Sequence, residues 1–157
     1  MLSESCSVEI QASHRDLQTA REKSARLVRE RVQALDTTLP VILTGVFNAA
    51  AGTNQAYMSP TSDGFFADTW VTARERKGEG LSTSNGFEAV RPNGVRIDWI
   101  LARGPVSVDS AEIVTFSRGG QFPSDHFPVV ARLRMGAVRW QPAGAREERR
   151  GRLSLQI

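Results

Sequence analysis

Asp125 and His126 stand side by side in Ser124-Asp125-His126-Phe127-Pro128, just before the apolar run Val129-Val130-Ala131-Arg132-Leu133. A carboxylate can hold a divalent cation and an imidazole can meet a phosphate, and α/β enzymes place such groups at strand ends. By itself the pair has a plainer reading, a Ser-Asp turn with a capping histidine. Its weight comes from polar residues elsewhere: Asn48 in Gly45-Val46-Phe47-Asn48, and Asp98 in Arg96-Ile97-Asp98-Trp99-Ile100-Leu101, each beside a strand-like run.

Those groups need elements to hold them. Val8, Ile10 and Ala12 alternate with polar residues, the period of a strand with one buried face. Leu17, Ala20, Ser24, Leu27, Val28, Val32 and Leu35 then recur at three- and four-residue spacing, which predicts a helix over 17–35 with Asp16 as N-cap and an Arg/Glu/Lys-rich outer face. Val41 to Thr44 is a short apolar run that reads as a buried strand ended by Gly45. Residues 49–93 read as a long polar loop with short helical stretches near 54–58 and 68–76, and further strands are expected over 95–102, 110–116 and 127–135. The order implies an α/β (α+β) fold, a mixed β-sheet with helix 17–35 packed on it and polar groups gathered at strand ends.

The chain has 157 residues, 40% apolar and 24% charged, enough for one globular domain with a core. No apolar run approaches the roughly 18 residues needed to span a bilayer, so no membrane partner is expected. The single cysteine, Cys6, excludes an intrachain disulfide or a multi-thiolate metal site and suits a reducing compartment; the expected location is the cytoplasm. Net charge is +3, but Arg139, Arg146, Arg149, Arg150 and Arg152 crowd the last segment. Residues 136–157 therefore read as a disordered basic tail, solvated rather than a nucleic-acid arm, behind a domain over 7–135.

Taken in order, Leu43-Thr44-Gly45-Val46-Phe47-Asn48, Asp68-Thr69-Trp70, Arg96-Ile97-Asp98-Trp99-Ile100-Leu101 and Ser124-Asp125-His126-Phe127-Pro128-Val129 resemble the C-terminal half of the endonuclease/exonuclease/phosphatase superfamily. That family contains metal-dependent phosphoesterases of the deoxyribonuclease-I-like type. The resemblance implies half of a four-layer α/β sandwich and a phosphate-ester substrate, either a small molecule or nucleic acid. It also implies a Mg²⁺ or Mn²⁺ cofactor held by Asp125, with His126 meeting the scissile phosphate and Asp98 accepting a hydrogen bond from His126. Asn48 would position phosphate or water, and His14, in Ser13-His14-Arg15-Asp16-Leu17, would be a second phosphate contact. Thr83 and Asn85 match a loop whose polar residues face substrate. The alternatives are that Asn48 closes a turn, that Asp98 pairs with Arg96, and that His14 is a surface residue beside a helix cap.

Two departures qualify the activity. Where the family carries Gly-Asp-x-Asn, this chain has Val46, which can neither take a proton nor bind a metal; loss of a general base removes about 10²- to 10⁴-fold in rate. The family's N-terminal half, which supplies an Asn and a metal-binding Glu and builds the opposing sheet, has no counterpart before Ser7. The expectation is a phosphoester hydrolase impaired or inactive as an isolated chain, completed by a homodimer or by a separately encoded N-terminal half. The alternatives are a non-catalytic phosphate- or nucleic-acid-binding remnant, or a non-functional gene fragment.

Overall fold

A computed structural model describes residues 14–35, 39–90, 92–136 and 152–156. The expected strand over Val8 to Ala12 lies outside them. Helix α1 runs His14–Gln33, against the expected 17–35, and Asp16 sits inside its first turn rather than capping it. A carboxylate there complements the helix dipole, so the helix can begin before it. Strand β1 is Val41–Val46, α2 is Gln55–Thr61, β2 is Ala67–Asp68, α3 is Thr69–Thr72, and β3 is Glu75–Lys77. Then follow β4, Asp98–Arg103, β5, Val106–Ile113, β6, Val129–Met135, and β7, Arg152–Gln156.

The expected α+β fold is present, its strands divided between two sheets. One is antiparallel in the order β1-β4-β2; the other runs β3-β5-β6-β7 and is mixed, because β3 pairs parallel to β5. The reason lies in β4, whose successive side chains are buried on both faces. Trp99 and Leu101 point into a core with Ala56, Tyr57 and Phe66, against which Ala25 and Val32 of α1 pack. Ile100 points the other way, into a second core with Val108, Val129, Ala131 and Leu133. A strand apolar on both sides needs a layer on each, here helices on one face and the second sheet on the other.

Gly45 does not end β1. Gly45 pairs with Trp99 and Val46 with Asp98, so the β4 partner carries the strand past the glycine. Phe47 then stacks on Trp99 with ring centroids 4.2 Å apart, and Tyr57 meets the same indole edge-on at 4.9 Å.

The end of the expected tail belongs to the fold. Strand β7 pairs antiparallel with β6, Leu155 opposite Ala131, and Leu155 packs against the second core. Leu153 and Leu155 alternate with polar neighbours, a strand period too short to stand out among the surrounding arginines. On α1, by contrast, Leu17 and Leu27 stay 45% and 50% exposed. Beside Leu17 a cavity of about 330 Å³ opens between α1, β1 and α2, bordered also by Val28, Val46 and Phe47.

Candidate active site

The site grows from the first residue of β4. Asp98 is 3% exposed, and both its carboxylate oxygens face His126 Nδ1, at 3.1 and 3.0 Å. A proton on Nδ1 is the arrangement that satisfies this buried carboxylate, which leaves Nε2 as the ring's outward nitrogen. Nε2 has no hydrogen-bond partner among the described residues. Arg96 does not pair with Asp98; it turns to Asp68 instead.

Three segments bring His126 to Asp98. The 82–87 loop is pressed on Gly94 so closely that a Cβ there would overlap Ser82. From that loop the Thr83 hydroxyl accepts from the Ile97 and Asp98 amides at 2.9 and 3.3 Å. The Thr83 carbonyl accepts from the Phe127 amide at 2.7 Å, and Ser84 bridges to His126. Asn85 extends the join: the Asn85 and Gly86 amides donate to the Asp125 carbonyl at 2.7 and 3.0 Å, and the Asn85 side-chain amide donates to the Ser124 carbonyl at 3.1 Å. The Asn85 side-chain oxygen accepts from the Phe87 amide. Thr83 and Asn85, 0% and 3% exposed, are thus engaged by backbone rather than open to a substrate. Nothing in the local sequence distinguishes those two roles, because both use the same polar atoms.

Asn48 follows β1 on the same edge. The Phe47 amide donates to the Ile97 carbonyl and the Ala51 amide to that of Arg96, both at 2.9 Å, which ties the turn to the residues before Asp98. Asn48 takes a left-handed φ of 50°, a conformation asparagine tolerates, and is exposed. Its side-chain amide has no hydrogen bond among the described residues, so its polar head is open. Val46, 57% exposed, lies directly across from Asp98 in the β1–β4 register. His14 opens α1, and its side chain lies outside the described set.

Behind the site runs a network centred on Asp68. Its carboxylate accepts from Tyr57 Oη at 2.8 Å, from Arg96 Nη2 at 2.7 Å and from the Trp70 amide at 2.8 Å. Burial, then the Asp68 carboxylate, pushes the Tyr57 phenol well above its ordinary range. The Arg96 guanidinium also lies over the Trp70 ring at 5.2 Å, while its Nη1 has no hydrogen-bond partner. Asp68 and Arg96 stood in separate motifs with no sign in their spacing that they would meet; Tyr57 stood in none.

The donor set for a metal is small. Asp125 is exposed and its carboxylate has only a long contact, 3.4 Å, from Ser124 Oγ. Asp98 is engaged by His126, Val46 offers no donor, and no group of three His, Cys, Asp or Glu gathers among the described residues. Mg²⁺ requires near-octahedral oxygen ligation, and these residues by themselves do not fit it.

The fold has close counterparts among solved structures. An endonuclease/exonuclease/phosphatase family protein from Bacteroides thetaiotaomicron is 32% identical, with a TM-score of 0.67 over 74% of this chain and 44% of that one. A mannosyl-6-phosphatase from the same organism is 33% identical, with a TM-score of 0.65 over 73% and 46%. A family protein from Bacteroides vulgatus is 26% identical, with a TM-score of 0.64 over 76% and 45%. The chain spans less than half the length of each. No protein-family model matches the sequence, and no curated protein matches it. Among the described residues, no helix is long and apolar enough to cross a membrane.

Proposed function

The chain carries part of an endonuclease/exonuclease/phosphatase family domain, and on that premise we propose that it supplies the phosphate-facing part of a phosphoesterase site, binding a phosphate ester with little or no hydrolysis by itself. The observation that carries this is the Asp98–His126 pair, with His126 Nδ1 on both carboxylate oxygens and Nε2 without a partner among the described residues. Asp98 accepts the Nδ1 hydrogen bond and fixes the ring's orientation, so a ring that also carries the Nε2 proton donates from Nε2 to a phosphate oxygen without a search through rotamers. Asn48 adds a neutral donor. Val46 occupies the place across from Asp98 where a carboxylate would accept a proton from attacking water, so this chain holds the phosphate and lacks the group that activates the nucleophile.

Mg²⁺ or Mn²⁺ enters this proposal only as an ion to which Asp125 adds a single carboxylate within a completed domain. The exposed Leu17, Leu27 and Val46 favour completion by a second polypeptide, either another copy or a separately encoded N-terminal half. The mannosyl-6-phosphatase likeness makes a hexose 6-phosphate the first substrate to try, ahead of nucleic acid. A cytoplasmic setting accords with the single thiol.

The test is titration of a hexose 6-phosphate into the chain with NMR detection, alongside a phosphate-release assay in Mg²⁺. Saturable binding that His126→Ala abolishes, with no release above that variant, is expected. Metal-dependent release lost in His126→Ala would instead make the chain an active enzyme, and binding indifferent to His126 would remove the site from this reading.

A further inference from the structure

We propose a second ligand site at the opposite end of β4, where Arg103 and Arg29 bind a small oxyanion, a phosphate or carboxylate carried by a small molecule. Asp98 begins β4 and Arg103 ends it. At about 3.3 Å per residue the two ends are roughly 17 Å apart, so this place is separate from the Asp98–His126 pair.

Arg103 is opposite Val41 in the strand register and borders an open cavity of about 520 Å³ with Arg29, Leu39, Phe65 and Gly104. That volume is in the usual range for small-molecule sites. Both guanidiniums lie over the Phe65 ring, Arg103 at 3.9 Å and Arg29 at 4.6 Å from its centroid. Stacking on a ring holds the plane of a guanidinium while leaving its N–H edge available.

The two arginines differ in how they are satisfied. Arg29 Nη1 donates to the Ser59 carbonyl at 2.8 Å, the Ser62 carbonyl at 3.0 Å and Ser62 Oγ at 2.7 Å. Its Nη2 is 3.5 Å from Asp63, whose side chain is 86% exposed. The Arg103 guanidinium has neither a hydrogen bond nor an ion pair among the described residues. Two like charges gathered on one ring therefore face one well-solvated carboxylate, and Arg103 keeps a fork of donors turned to a cavity. An oxyanion matches that fork in geometry and supplies the absent charge. Arg29 and Arg103 are the two cations among the described residues that line the cavity, a set that suits a small molecule better than a nucleic-acid backbone.

Inorganic phosphate and acetate, each titrated into the full chain with NMR detection at the Gly64, Phe65 and Gly104 amides, test this directly. Saturable shifts with either anion support the site, and the anion that saturates at lower concentration identifies the head group. Loss of a charge-assisted contact predicts about tenfold weaker binding in Arg103→Gln, while Arg103→Lys binds more tightly than Arg103→Gln and His126→Ala leaves these shifts unchanged. The proposal is overturned if neither anion saturates, if Arg103→Gln binds as the unaltered chain does, or if His126→Ala abolishes the shifts. The Arg103 side chain has no hydrogen bond to lose and the backbone ladder is untouched, so the folded spectrum is expected to survive both substitutions.

Discussion

Val46 and Asp98 are cross-strand partners at the last step of the β1–β4 ladder. The residue that orients His126 and the residue that replaces an expected carboxylate thus sit opposite one another, with Cβ atoms about 5 Å apart for such a pair. One is buried and hydrogen-bonded; the other is an exposed isopropyl group.

Val46→Asp tests what that replacement removes. It restores a carboxylate beside Asp98 but adds no further ligand, so we expect no Mg²⁺-dependent hydrolysis of a generic phosphodiester above a Val46→Asp, His126→Ala control. Rescue by the single change would mean that the half-domain is self-sufficient.

Thr83→Val should destabilise the fold. It removes the acceptor for the Ile97 and Asp98 amides in a fully buried place, and a cost of about 1–3 kcal/mol is expected in chemical denaturation. Thr83→Ser, which keeps the hydroxyl, should recover most of it. A loss in Thr83→Ser with none in Thr83→Val would assign the effect to the methyl group's packing instead.

Asp68→Ala leaves Arg96 and the Tyr57 hydroxyl without their shared acceptor. The Arg96 and Asp68 side chains are 12% and 2% exposed, so screening is weak and the expected loss is about 3–5 kcal/mol. A midpoint unchanged in guanidinium would show that water replaces the carboxylate at no cost.

Tyr57 is the chain's single tyrosine, so phenolate absorbance reports it alone. Its folded pKa lies above the ordinary value of 10.0. The folded state therefore keeps a proton that the unfolded state releases, and the stabilisation is full below about pH 10 and declines as pH rises beyond it. Phenolate should appear together with alkaline unfolding followed by circular dichroism. Ionisation near pH 10 with the fold intact would contradict the buried Tyr57–Asp68 contact.

Much of this was legible in the residues. The apolar runs at Val41, Ile97 and Val129 mark strands because both faces or one face must be buried, and Asn48, Asp98, Asp125 and His126 stand at their ends. Only the family resemblance relates Asp98 to His126 in the sequence, since 28 residues separate them and no local period can join them. Arg96 shows the limit: its neighbour in sequence is Asp98, its partner in space is Asp68.

The sequence by itself determined helix α1, the strands β1, β4 and β6, the residues able to do chemistry and the absence of a carboxylate at position 46, because periodicity and side-chain chemistry are local properties. Tertiary structure alone decided that Thr83 and Asn85 support the site from beneath, that the strands divide into two sheets about β4, that residues 152–156 return to β6, and that Arg103 meets Arg29 over one ring. Those are facts of long-range register and packing, and identical local patterns are compatible with more than one partner until the chain has folded.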